Sequence, residues 1–199
     1  MHTATSHSSG IDDHIPARTP LLFALLCLLG FGLLYSLAGT GLGALAFPHQ
    51  AGGSLVERDG RVLGSSLVAQ PFTGARYFQP RPSAANYDPM AAAGSNQARS
   101  NPELRRRIAE ATGAVALRDG IAPGAVPAEL VTQSGSGLDP DLSPRAVRVQ
   151  VARVARERGL TLAEVDAIVA AHTRPRQFGV LGEPRVNVLQ LNLALDAKP

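Results

Sequence analysis

The stretch Ser134 to Pro144, SGSGLDPDLSP, holds the densest chemistry of the chain. Gly135 and Gly137 alternate with serines, so the backbone can take positive φ and leave its N–H groups uncovered. Ser143 is a good helix N-cap, and Pro144 suits the first helical position, where no N–H is needed. A pliable loop feeding a helix N-terminus can cradle an anion. The same arrangement also serves as an ordinary strand-to-helix turn. The residues favour the turn, because neither GxxxxGK[ST] nor GxGxxG is present.

Other reactive side chains are sparse. Asp139 and Asp141 lie two apart, but no glycine at the sixth loop position and no closing glutamate follow them as in a calcium loop. A proline-flanked Asp is commonly a turn or cap residue. His2, His7 and His14 sit in a polar leader and read as solvated. His172 ends an apolar helical stripe, where a structural role near the helix dipole is expected. Cys27 is the single cysteine, so neither an internal disulfide nor a thiolate metal site is available. GxSxG and HExxH are absent. No catalytic residue, no metal site and no covalently bound cofactor are therefore expected. Nucleic acid is an unsuitable partner: the net charge is +3, aromatics make up 5%, and the densest basic run is Arg105-Arg106-Arg107. Those three arginines fan over about 300° of a helix and are expected to be solvated.

The elements that hold these residues follow from patterning. Residues 1–19 read as a disordered tail. Between Thr19 and Val56 there is no Asp, Glu, Lys or Arg, and about 20 apolar residues suffice to cross a bilayer core. A membrane helix over 20–47 is predicted, with residues 48–199 as a small mixed α/β domain. Ala44-Leu45-Ala46 resembles a signal-cleavage site, but the apolar run exceeds the roughly 7–15 residues of a signal core, which favours a retained anchor. Gly39 and Gly43 form a small-xxx-small pair that could admit another helix. Arg18 before the span and Arg58 and Arg61 after it set no firm orientation.

Asp59-Gly60 predicts a hairpin turn inside Ser54–Leu63. Tyr77 to Ala84 is aromatic yet aperiodic and reads as an ordered segment wrapping the domain, over which a partner could lie. Asn101-Pro102 starts a helix with Leu104, Ile108 and Ala111 inward. Glu129 to Thr132 reads as a short strand. The helix from Pro144 to Arg158 buries Val147, Val151 and Val154 and leaves Arg145, Arg148, Arg153 and Arg156 on the surface, with Gly159 as its stop. Thr161 and Glu164 form a capping box for a helix that buries Leu162, Val165, Ile168 and Val169. Val186 to Leu195 alternates leucines with amides and predicts a half-buried strand.

Several segments, in matching order, resemble one family. They are Tyr77-Phe-Gln-Pro-Arg-Pro-Ser-Ala84, Gly94-Ser-Asn96 with Ser100-Asn-Pro102, and Leu130-Val-Thr132 running into Ser134-Gly-Ser-Gly-Leu-Asp-Pro140. Arg153-Val-Ala155, Arg158-Gly-Leu160, Gly182-Glu-Pro-Arg-Val-Asn-Val-Leu189 and Leu191-Asn-Leu-Ala-Leu195 complete the set. Together they resemble the C subunit of the bacterial Kdp potassium-transporting ATPase. The resemblance implies a single-span subunit of the cell (inner) membrane, with a cytoplasmic N-terminus and an extracytoplasmic domain. It implies assembly with a channel-like potassium-translocating subunit and a P-type ATPase subunit, ATP and potassium being handled by the complex. The role it implies is non-catalytic: a catalytic chaperone that supports ATP binding by the pump. Gln133, Ser134, Gly135, Ser136 and Gly137 are the positions it links to the nucleotide. A loop outside the membrane cannot touch cytoplasmic ATP, so the implied topology leaves stabilisation of the potassium-entry subunit, or shaping of ion access, as its physical role.

Overall fold

The computed structural model describes residues 16–198 of the 199-residue chain, so His2, His7 and His14 lie outside the described residues. Two compact units part between Gly52 and Gly53. The described part of the first holds a long helix, α1, over Arg18–Ala46, with 29 residues and a mean hydropathy of 2.4 in its most apolar window, followed by a single helical turn at Pro48–Ala51. At 1.5 Å per residue α1 is about 43 Å long, enough for a hydrocarbon core of about 30 Å. Its start takes in Arg18 and Thr19, which the sequence placed in the tail; Pro20 falls in the first turn, where a missing N–H is harmless. Wider π-type turns run from Leu28 to Leu34, around Gly30 and Gly32. Phe47 leaves helical geometry just before Pro48, as residues preceding proline do.

The second unit mixes helices and small sheets. β1 (Leu55–Arg58) and β2 (Arg61–Ser65) form the expected hairpin. Asp59 (φ +52°) and Gly60 (φ +72°) supply the two positive φ angles of its tight turn. α2 (Pro102–Asp119) is capped by the Asn101 side chain, which accepts from Glu103 N at 2.9 Å. α3 (Pro144–Arg158) starts on Ser143 and ends on Gly159 at φ +67°. α4 (Leu162–Ala171) carries the full capping box: Thr161 Oγ1 accepts from Glu164 N at 3.2 Å, and the Glu164 carboxylate accepts from Thr161 N at 2.9 Å. β3 (Asp141–Leu142), β5 (Arg185–Asn187) and β4 (Thr173–Arg174) form an antiparallel sheet in that order. α5 (Val188–Asp196) closes the unit. The core gathers Leu142, Val147, Val151, Val154, Val165, Val186, Leu191 and Leu195 from β3, α3, α4, β5 and α5, with Val115 from α2 and Phe78 from the irregular segment before α2.

The structure departs from five sequence expectations. In place of the strand expected over Glu129–Thr132 there is a tight 3-10 turn at Ala128–Leu130. Leu130 and Val131 both face inward, which strand alternation forbids, and Thr132 Oγ1 donates to Ala128 O at 2.9 Å. The strand expected over Val186–Leu195 ends at Asn187, whose side chain accepts from Gln190 N at 3.1 Å and caps α5. The buried positions there, Val188, Leu189, Leu191, Asn192 and Leu195, repeat with the helical period. Leu162 is 56% exposed, because the first turn of α4 projects beyond the core. Arg153 is 1% exposed, not a surface residue, because its guanidinium is paired with buried Asp119. Of the arginine triplet, Arg105 and Arg106 are solvated, and Arg107 is half-buried.

Candidate functional site

The motif segments converge on one construction, built around an extended strap. Residues 77–80 have few backbone partners of their own, so helix side chains supply them. Asn192 of α5 accepts from Phe78 N and donates to Phe78 O, both at 2.9 Å. Gln150 of α3 does the same for Gln79, accepting from its N–H at 2.9 Å and donating to its carbonyl at 3.1 Å. A primary amide carries both a donor and an acceptor, so each copies the reciprocal pair of a neighbouring strand. The Phe78 ring is thereby held fully inside the core.

Arg153 explains its burial by the same logic. Its guanidinium donates to Asp119 at 2.6 Å, Gln150 Oε1 at 2.8 Å and Tyr77 O at 2.9 Å, and also to Ala75 O. Burial lowers its pKa, and the Asp119 carboxylate pushes it back up. Arg158 donates to Arg76 O at 2.8 Å and to Asp196 at 2.7 Å, and its guanidinium lies 5.0 Å over the Tyr77 ring. Gln150, Arg153, Asn192 and Asp119 escape a reading by periodicity alone. Their signal is a polar residue at a position where the helix stripe calls for an apolar one.

The glycine loop packs against the continuation of this strap. Ser134 N donates to Pro82 O at 3.2 Å, and Gln133 Nε2 to Ser83 O at 3.4 Å. Gly137 sits at φ +72°, where a Cβ would come within 2.9 Å of both Ala85 Cβ and Ala93 O. At Gly94 a Cβ would lie 2.9 Å from Gly135 O. Arg81 pairs with Asp139 at 2.9 Å. The Tyr87 hydroxyl donates to Arg81 O at 2.9 Å, and burial raises its pKa. Gln133 to Gly137, Ser83 and Gly94 thus form a single close-packed patch. Gly135 and Ser136 face outward, while Ser134 is 3% exposed. Ser134 Oγ and Gln133 Oε1 are buried without a hydrogen-bond partner among the described residues. Both can accept, so a water or a donor brought by another molecule would satisfy them.

The N-terminus of α3 is already occupied. Ser143 Oγ accepts from Ala146 N at 3.2 Å, and the Glu129 carboxylate accepts from Ser143 N at 3.0 Å and from its hydroxyl. A carboxylate of the chain itself therefore stands where an anion would bind. Asp139 acts as the turn residue expected, accepting from Asp141 N at 3.1 Å. His172 Nδ1 lies 2.9 Å from Ile168 O at the end of α4. No cluster of His, Cys, Asp or Glu suited to a metal occurs among the described residues. Gly39 and Gly43 lie on α1, and apart from the helix's own nearby backbone no atom of the described residues lies within 4 Å of where a Cβ would stand.

Comparison with known proteins covers almost the whole chain. The sequence model of the K+-transporting ATPase c chain, KdpC, matches residues 17–197. The potassium-transporting ATPase KdpC subunit of Xanthomonas campestris pv. campestris (strain B100) is 62% identical over 191 residues, covering 96% of this chain and 91% of the relative. The corresponding subunits of Gemmatimonas aurantiaca and Methylococcus capsulatus are 56% and 52% identical over 180 and 183 residues, covering 89% and 90% of this chain. With one spanning-length helix, a mixed helix and sheet unit and these matches along almost its full length, the chain belongs to the KdpC family of potassium-transporting ATPase subunits.

Proposed function

We propose that this chain is a non-catalytic accessory subunit of a high-affinity, ATP-driven potassium import complex. It is anchored once in the cell membrane by α1, with its folded unit outside the cytoplasm. Its partners are a channel-like potassium-translocating subunit and a P-type ATPase subunit, and Gly39 and Gly43 are offered as the close-approach face of α1. Its effect on ATP use is that of a catalytic chaperone, exerted through the complex and not by contact with the nucleotide.

One observation carries this reading. The motif residues are spent on clamping the strap and seating the Gln133–Gly137 loop on it, which makes a rigid contact surface instead of a ligand-lined cleft. Deleting the chain from the complex is expected to abolish potassium-stimulated ATP hydrolysis by the remaining subunits. Unchanged hydrolysis together with unchanged assembly would sink the proposal.

A second reading makes Ser134–Gly137 a nucleotide site. The buried unpartnered acceptors of Gln133 and Ser134 leave it a foothold. Against it, the Gln133 carbonyl oxygen repels phosphate, the Ser134 hydroxyl, which could donate to one, is only 3% exposed, and Glu129 fills the adjacent helix N-terminus. Labelling a Ser136→Cys variant, made in a Cys27→Ser background, with a membrane-impermeant maleimide separates the two. Reaction in intact cells supports the accessory reading; reaction only from the cytoplasmic side supports the nucleotide site. Ser136 is suited to this because it is exposed.

A further inference from the structure

We infer that the tip of the β4–β5 hairpin, Phe178 to Leu181, is a preformed plug that seats in an apolar socket on another membrane-held subunit of the same complex. The inference rests on the accessory-subunit reading. Beyond β4 and β5 the hairpin continues to a closed tip, where Gln177 and Leu181 exchange both backbone bonds at 2.9 Å. Val180 N donates to Gln177 O at 3.2 Å, with Phe178 at φ +54° and Gly179 at φ +78°. Two consecutive positive φ angles are what a type I′ turn requires, and its first such position belongs to Asn, Asp or Gly. A bulky aromatic there is a genuine outlier, and such strain clusters at ligand clamps and other functional sites.

Within this chain the ring gains nothing for that strain. Phe178 is 83% exposed, Val180 71% and Leu181 56%. Other exposed large apolar residues of the folded unit, such as Met90 and Leu117, are scattered and need no explanation. Three of them within four residues, on a closed turn, form a projection built to be covered.

The surroundings decide what covers it. The arginines at the base are engaged within the chain: Arg176 with Glu183 at 2.6 and 2.7 Å, Arg185 with Asp141 at 3.2 Å, and Arg174 with Gln190 at 3.0 Å. An anionic lipid surface draws on a cluster of free basic groups beside an apolar tip; here Arg176 and Arg185 are neutralised by carboxylates, and only Arg174, on the neutral Gln190 amide, keeps an uncompensated charge. A single such arginine is too few for a lipid surface, so the occupant is protein. A phenylalanine offers about 150–250 Å², so the three-residue tip falls well short of the roughly 800 Å² per partner of a stand-alone interface. Neither a free soluble protein nor a second copy could be held by it alone. A partner confined to the same membrane is present at high effective concentration, and there a small, preorganised contact suffices.

The test uses the complete complex carrying Phe178→p-benzoylphenylalanine, irradiated in native membranes, with Met90→p-benzoylphenylalanine as the exposed control. A covalent adduct between this chain and another subunit, from position 178 and not from position 90, is expected. Adducts to lipid only, to a second copy of the chain, or none at all overturn the inference. Phe178→Ala is expected to leave the thermal unfolding of the chain unchanged while lowering its retention in the detergent-extracted complex by roughly tenfold or more. Equal retention would also overturn it. Should the unsubstituted chain fail to co-purify with the other subunits, the accessory-subunit reading falls first; co-purification without the adduct removes the plug alone.

Discussion

At the residue scale, Arg153 is among the largest fully buried side chains of the fold. It joins α3 to the C-terminal end of α2 through Asp119 and to the strap through Tyr77 and Ala75. Asp119 is buried as well and also takes Arg118 at 2.6 Å. Breaking a buried pair by removing one partner leaves a desolvated charge, at a cost of about 3–5 kcal/mol. Asp119→Ala is therefore expected to lower stability by about that amount in denaturant titrations, with Arg153→Lys milder because it keeps the charge but loses the planar fork. Asp141 tests a different balance. Burial raises its pKa, against the Asn187 hydrogen bond and the Arg185 charge, which lower it. A carboxyl raised on folding binds protons more readily in the native state, so its contribution to stability falls as pH rises from the ordinary carboxylate value through the folded one. Asp141→Asn removes that slope. Its stability relative to the wild-type chain is expected to improve steadily as pH rises through the acid range, and a pH-independent difference would show the burial effect to be negligible.

At the element scale, the strap shows how an irregular segment is ordered without joining a sheet. Asn192→Leu keeps the branched shape but strands the buried N–H and C=O of Phe78, each costing about 1–3 kcal/mol. Faster proteolytic cleavage near Phe78, with α3 and α4 intact by circular dichroism, is the expected outcome. Much of the framework was legible beforehand, because local signals and the tertiary fold agreed. Ser143, Gly159 and the Thr161–Glu164 box fix the ends of α3 and start α4 at the residues the caps indicate. The hairpin over Asp59-Gly60 was legible for the same reason. α5 was not. Leu189, Leu191, Leu193 and Leu195 alternate as a strand does, while Val188, Leu191, Asn192 and Leu195 repeat as a helix does, and the choice falls to the Asn187 cap and to a core that needs Asn192 pointing inward. A buried asparagine reads as polar until its partner, an extended backbone 114 residues away in sequence, is in place. The candidate patch was half legible. Its loop stood out by its glycines, but the strap it rests on carries no periodicity to announce it.

At the scale of the whole molecule, rigidity of the patch and its use by the complex can be separated with three glycines. Gly137→Ala meets both a positive φ and a Cβ 2.9 Å from Ala85 and Ala93. Gly94→Ala meets only the steric part, 2.9 Å from the Gly135 carbonyl. Gly135 has open space around its would-be Cβ. If the patch acts as a rigid contact surface, the first two substitutions lower both the thermal stability of the chain and the potassium-stimulated ATPase of the assembled complex. Gly137→Ala should be the more severe, since strain adds to overlap. A methyl at Gly135 should leave stability unchanged, and a bulky Gly135→Trp should reduce ATPase activity at unchanged stability by holding a partner off an intact surface. A nucleotide site would behave otherwise, because a larger side chain on the loop would weaken ATP binding by the isolated subunit. The decisive measurement is the ATPase of the Gly135→Trp complex beside the unfolding midpoint of the variant chain. Full activity at full stability would mean that the outward face of the loop meets nothing in the working complex.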